Sequence, residues 1–140
     1  MYISKKQFGK WLKGLSLAAC LLAISVQCSK ARTAEEQASE AALESYEQLL
    51  AGHYEQFLKG RAGIDSLPDS YREQLLTAYK QFMAGQRQEH GGLKSVSVRN
   101  AEMDSTLNVM QVFLILSYTD SLKEEIIVPM VTENGEWKMK

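Results

Sequence analysis

Cysteine is nearly absent from this 140-residue chain, and both copies, Cys20 and Cys28, fall within its first 28 residues. The remainder has no thiol with which to build a disulfide framework or a thiolate metal site. Acids are missing from the start: all 17 follow Cys28. Histidine occurs twice, at His53 and His90, and neither has a second histidine at ligand spacing, so the sequence implies no metal site and no cofactor. A glycine-rich phosphate loop is missing too, because Gly91-Gly92 precedes a strand pattern and so closes a helix instead of opening one. No serine lies in a nucleophile-elbow pattern. The longest apolar stretch near the start, residues 15–26, falls short of the ~18–20 residues that a permanent membrane span needs.

A targeting pattern is present in place of these. Lys5, Lys6, Lys10 and Lys13 form a basic n-region before that apolar stretch, which only Ser16 and Ser25 interrupt. A cysteine closing such a segment resembles the acyl-carrying first residue of a bacterial lipoprotein. Leu17-Ala18-Ala19-Cys20 is the closer match to a lipobox but leaves a very short h-region. Ser25-Val26-Gln27-Cys28 departs at Gln27 yet ends the apolar run and precedes a polar segment, and Cys28 is preferred. Cleavage after Ala23-Ile24-Ser25 is the third option and would release a soluble protein. Residues 1–28 are thus expected to be a lipoprotein signal peptide, residues 29–34 a tether and residues 35–140 the folded domain. Acyl chains would hold the protein to a membrane. Ser29, with no acid just after Cys28, suggests the periplasmic face of the outer membrane in a Gram-negative envelope.

Four of the 16 bases precede Cys28, leaving 12 against 17 acids, a net −5 for the rest. That balance argues against a nucleic-acid partner, since phosphate binding needs clustered Lys and Arg.

Along the domain, Thr33 suits an N-cap, with Glu35 and Glu36 at the positive end of a helix dipole. Ala38, Ala42, Leu43, Tyr46, Leu49 and Leu50 recur at helical spacing to about Ala51, and Gly52 ends the helix. One or two turns follow over residues 53–59, with Tyr54, Phe57 and Leu58 inward. A third helix is predicted from Asp69 or Ser70 as cap, with Glu73 completing a capping box. Its apolar face would carry Tyr71, Leu75, Leu76, Tyr79, Phe82 and Met83, and Arg72 would lie on the solvated side.

From Leu93 the period falls to two. Val96 and Val98 mark a half-buried strand, residues 103–106 a turn, and residues 107–119 a central strand apolar on both faces. A third strand carries Ile126, Val128 and Met130, with Pro129 expected to leave it bulged or partly unpaired. Asn134-Gly135 supplies the positive φ of a tight hairpin before Trp137 and Met139. The fold class is therefore α+β, with N-terminal helices packed on a curved, mostly antiparallel four-stranded sheet.

Four stretches carry a family resemblance: Leu50-Ala51-Gly52-His53-Tyr54-Glu55-Gln56-Phe57, His90-Gly91-Gly92-Leu93-Lys94-Ser95-Val96, Leu116-Ser117-Tyr118-Thr119-Asp120, and Glu133-Asn134-Gly135-Glu136-Trp137-Lys138-Met139. In this order the chain resembles the nuclear-transport-factor-2-like, or cystatin-like, superfamily, and within it small bacterial lipoproteins of unassigned function. The resemblance implies a cone-shaped cavity between helices and sheet. Relatives usually have Asp or Asn where His53 stands, a departure that bears on helix capping.

Enzymes of that superfamily place an Asp, a His or a Tyr pair inside the cone, and a carboxylate there needs burial to reach a working pKa. No acid lies on the central strand here, where Gln111 is the one polar residue in the most apolar run. The expected cavity lining is Tyr46, Tyr54, Tyr79, Gln111, Phe113 and Trp137, phenols and an amide suited to a small amphipathic ligand or peptide. The reading is a non-enzymatic binding domain for a small ligand, peptide or envelope protein. The alternatives are a lyase or isomerase of the same fold, and an accessory subunit or homodimer packing through its sheet.

Overall fold

The structure, a computed structural model, describes residues 30–140; the predicted signal segment, with Cys20 and Cys28, and Ser29 lie outside the described residues. Helix α1 spans Ala34–Leu50 and α2 Tyr54–Lys59; a 3-10 turn at Ile64–Ser66 leads to α3, Asp69–His90. Strands β1 (Leu93–Asp104), β2 (Val109–Tyr118), β3 (Lys123–Glu133) and β4 (Glu136–Met139) follow and form one antiparallel sheet in that order. The predicted α+β architecture, helices on a curved four-stranded sheet, is the observed one.

Thr33 caps α1 as its sequence suggested, and Glu36 does more than complement the dipole. The Thr33 hydroxyl accepts from Glu36 N–H at 3.2 Å, and the Glu36 carboxylate accepts from Thr33 N–H at 3.0 Å, a full capping box. Ala38 and Ala42 are completely buried, and their small side chains let the helix backbone approach the sheet closely.

Helix α3 starts differently from the expectation. Pro68 holds the N-cap position and its carbonyl accepts from Tyr71 and Arg72 N–H, while no side chain caps the helix. The proline sits at φ −58° and ψ 145°, an extended entry that begins the first turn two residues before a Ser70 cap would. The predicted apolar face holds at Leu75, Leu76, Tyr79 and Met83, which are buried or half-buried, and fails at Tyr71 and Phe82. Met83 is the only buried residue of the helix, Tyr71 and Phe82 stay 47% and 43% exposed, and Arg72 is half-buried.

Strand β2 is the middle of the core. Met110, Val112, Leu114, Leu116 and Tyr118 are buried toward the helices, whereas Gln111, Phe113, Ile115 and Ser117 on the other face are half-buried. The first set packs with Ala38, Ala42, Leu49, Phe57, Met83, Val128, Met130 and Met139. Full burial of side chains such as Leu114 and Met130 stabilises the fold by about 1.5–3 kcal/mol each.

Two boundary expectations fail here. The central strand begins at Val109, not Leu107, and the turn covers residues 105–108, not 103–106. Asp104 Oδ1 accepts from both Thr106 and Leu107 N–H at 3.0 Å, and Asn108 takes φ 51°, so this loop leaves Leu107 59% exposed. Pro129, in turn, causes no bulge. It stays in register with Gln111, and its carbonyl accepts from Lys140 N–H at 2.8 Å. Only the reciprocal bond toward β4, which would need a proline N–H, is missing. The register shifts fall instead between β1 and β2, at Leu93/Ser95 and Val98/Asn100.

Candidate functional site

The six residues expected to line one cavity divide among four places. Tyr46, Phe57 and Tyr79 stack edge to face, with ring centroids 5.3 and 4.8 Å apart, and fill the space beneath the sheet. Burial raises the Tyr46 phenol above its ordinary pKa, and the Tyr79 hydroxyl is buried with no hydrogen-bond partner. These are packed aromatics. Gln111 and Phe113 point to the opposite, uncovered face of the sheet, because the strand period of two separates them from Met110, Val112 and Leu114. Gln111 Nε2 donates to Asp104 Oδ2 at 3.0 Å, so the amide is satisfied by a turn acid. Tyr54 borders a shallow depression beside Gly52, His53 and Lys80. Trp137 alone of the six lines a wider depression.

That depression, of about 520 Å³, is a groove between α1, α2 and β4, within the size range of small-molecule sites. Trp137 is flanked there by Ala41 and Ser45 of α1, Gln56 and Lys59 of α2, and Lys138 of β4. Gly60 lets these elements meet: a Cβ on it would stand 2.7 Å from Ser45 Oγ and 3.2 Å from Met139 Cε. The chain after Gly60 then closes part of the sheet edge, with Met139 N–H donating to Gly60 O and Ala62 N–H to Met139 O, both at 2.8 Å. A second depression, of about 290 Å³, shares Lys59, Glu136 and Lys138 with the first and adds Arg61 and Arg72. None of Lys59, Gly60, Arg61 and Arg72 stood out in the sequence, because the β4 edge that assembles them lies some eighty residues further along the chain for Lys138 and Lys59.

The uncovered sheet face is the second feature. Phe113 and Ile127 are register partners, Ile127 is 54% exposed, and Ile115, Pro129 and Val131 lie around them half-buried. An Arg99–Glu125 ion pair borders the patch.

A third feature joins residues that the sequence kept apart. His90 Nδ1 lies 2.8 Å from Asp120 Oδ2, and the His90 ring tilts against Tyr118 at 5.1 Å. The Tyr118 hydroxyl donates to Glu124 Oε2 at 3.0 Å. Burial, reinforced by that bond to a carboxylate, pushes the Tyr118 pKa up to about 12. Hydrogen bonds from His90 and from Leu122 N–H hold the Asp120 carboxyl below its ordinary value. His90 thus has a specific partner in the turn between β2 and β3. His53, the other histidine, bonds Gln48 Oε1 at 2.8 Å and gives α2 no side-chain cap. Among the described residues no three His, Cys, Asp or Glu side chains gather as a metal site.

The solved structures contain a match in fold. A Campylobacter jejuni protein, provisionally described as an NTF2-like transpeptidase, superposes with a TM-score of 0.57 over 71% of this chain and 94% of its own, at 9% identity. The domain therefore has the nuclear-transport-factor-2-like fold. No protein-family model matches the sequence, and no curated protein matches it.

Proposed function

We propose that the protein is a lipid-anchored component of a Gram-negative cell envelope, held by acyl chains on Cys28, with Cys20 the alternative site, at the periplasmic face of the outer membrane. Its folded domain binds a small ligand or peptide in the α1–α2–β4 groove and catalyses no reaction. The observation that carries the groove is Trp137, an aromatic side chain beside about 520 Å³ of open space while the expected interior lining is packed. The non-catalytic reading is supported by burial: among the described residues no carboxylate or histidine lies in the buried core, where a general acid or base of this fold would sit.

Anchoring is tested by replacing Cys28 and Cys20 singly and following partition into the detergent phase. Loss with Cys20→Ala alone would assign the anchor to the other cysteine, and no loss with either would remove the anchor. The groove is tested by isolating the protein from native membranes and analysing what denaturation releases. Ala41→Trp should fill the groove and release nothing; an unchanged yield of ligand from that variant would place binding elsewhere.

A second reading, a homodimer or partner protein on the open sheet face, is favoured by Ile127, a large aliphatic side chain 54% exposed in mid-strand. Ile127→Lys should then lower the sedimentation mass while leaving the circular dichroism spectrum intact.

A further inference from the structure

Resting on the groove as the ligand site, we infer that its ligand is an extended peptide with a free C-terminal carboxylate. The peptide lies along the outer edge of β4, and Arg61, Arg72 and Lys59 receive the carboxylate.

The edge supplies the first half. Lys140 N–H donates to Pro129 O, so positions 129 and 140 form a hydrogen-bonded pair. Alternation then makes Val131–Lys138 and Glu133–Glu136 the next such pairs. Trp137 and Met139 consequently aim their N–H and C=O away from β3. Met139 confirms it, since its two groups bond Gly60 and Ala62. Those of Trp137 meet no backbone partner among the described residues. A strand edge with an unmet donor and acceptor beside a groove is the arrangement by which sheets take up extended peptides.

Charge supplies the second half. Lys59, Arg61, Arg72 and Lys138 line the adjoining depression of a domain whose overall charge is negative. Two of the three acids there are engaged, since both Glu133 oxygens accept from Gly63 N–H at 3.1 Å and Glu136 pairs with Lys138 at 3.1 Å, while the third, Asp65, is exposed; four bases thus face three acids. Lys59, Arg61 and Arg72 form no ion pair among the described residues, whereas Arg32 and Arg99 are paired. Two free guanidinium groups near one strand edge favour a carboxylate, which accepts from them in parallel.

Trp137 reports on the site. In the full chain with Trp11→Phe, kept in detergent, it is the sole tryptophan. Its emission is titrated with a degenerate tetrapeptide mixture bearing free C-termini, the same mixture amidated, and sodium acetate. The free-carboxylate mixture should bind about tenfold or more tightly than the amidated one. Arg61→Gln/Arg72→Gln should abolish that difference, and the wild-type comparison stands whether or not this variant folds. Equal binding of the two mixtures overturns the carboxylate assignment and leaves the groove intact. Acetate acting as strongly as the peptides overturns the peptide assignment. Binding of neither mixture overturns both this inference and the groove as the ligand site.

Discussion

His90 Nδ1 and Asp120 Oδ2 lie 2.8 Å apart although thirty positions separate them in the chain. The contact joins the last residue of α3 to the turn between β2 and β3. Backbone bonds reinforce it, with Thr119 N–H donating to Gly92 O at 3.0 Å and Asp120 N–H to His90 O at 3.1 Å.

The pair makes stability sensitive to acid. A carboxyl held below its ordinary pKa stabilises the fold above that ordinary value, near pH 4, and the contribution fades as pH falls through the lowered folded-state value. Asp120→Asn should therefore be less stable than wild type near pH 6, with the two converging below about pH 4. Urea denaturation at several pH values checks this, and a constant difference would contradict it.

The buried Tyr118 phenol should ionise well above the ordinary phenol range. Its pKa of about 12 means that folding favours the neutral form, an effect fully present below the ordinary phenol value and lost as pH rises toward 12. Phenolate absorbance should show a late step that Tyr118→Phe removes. In Glu124→Ala that step should move down only part of the way, because burial, the larger cause, remains.

Gly60→Ala should destabilise the domain by about 1–3 kcal/mol, as overpacking does. The new methyl would meet Ser45 Oγ at 2.7 Å and Phe57 O at 3.1 Å, and the second of these is backbone that cannot step aside. Ser45→Ala in the same chain should recover only part of the loss in thermal denaturation. The backbone at Gly60, φ −70°, is unstrained, so crowding is the whole cause.

Thr33→Ala should cost about 1 kcal/mol, the usual value of an N-cap side chain. Glu36→Ala removes the other half of the box, so the double variant should lose less than the sum of the singles. Additive losses would show that the two bonds act independently.

The fold was legible where local chemistry and pattern agree. Thr33, Gly52 and Asn134-Gly135 mark ends and turns by backbone preference alone, and β2 announces itself by its apolar run. The errors share a cause. Leu107 belongs to its turn because Asp104 captures two N–H groups, a contact that hydrophobicity does not register. On α3, Tyr71 and Phe82 share the period of Tyr79 and Met83 but have little to pack against, so periodicity overstated their burial. Gln111 and Phe113 were placed in a cavity because a strand apolar on both faces does not declare which face the helices take. The groove was legible only through Trp137. His90 and Asp120 were both visible, but their meeting depends on Gly91 and Gly92 turning the chain so that β1 runs back along β2.

Helix α3 buries one of its 22 residues, Met83. Its C-terminal end is held by His90 and the glycine turn, and its N-terminal end follows a proline and a 3-10 turn. Little apolar surface would therefore reach water if this helix came away as a unit while the sheet and α1 stayed folded. Such a domain has two levels of resistance to unfolding. In amide exchange, α3 should lose protection at a lower free energy than β2, and a protease should find its first cut in that helix and not in the body of the cone.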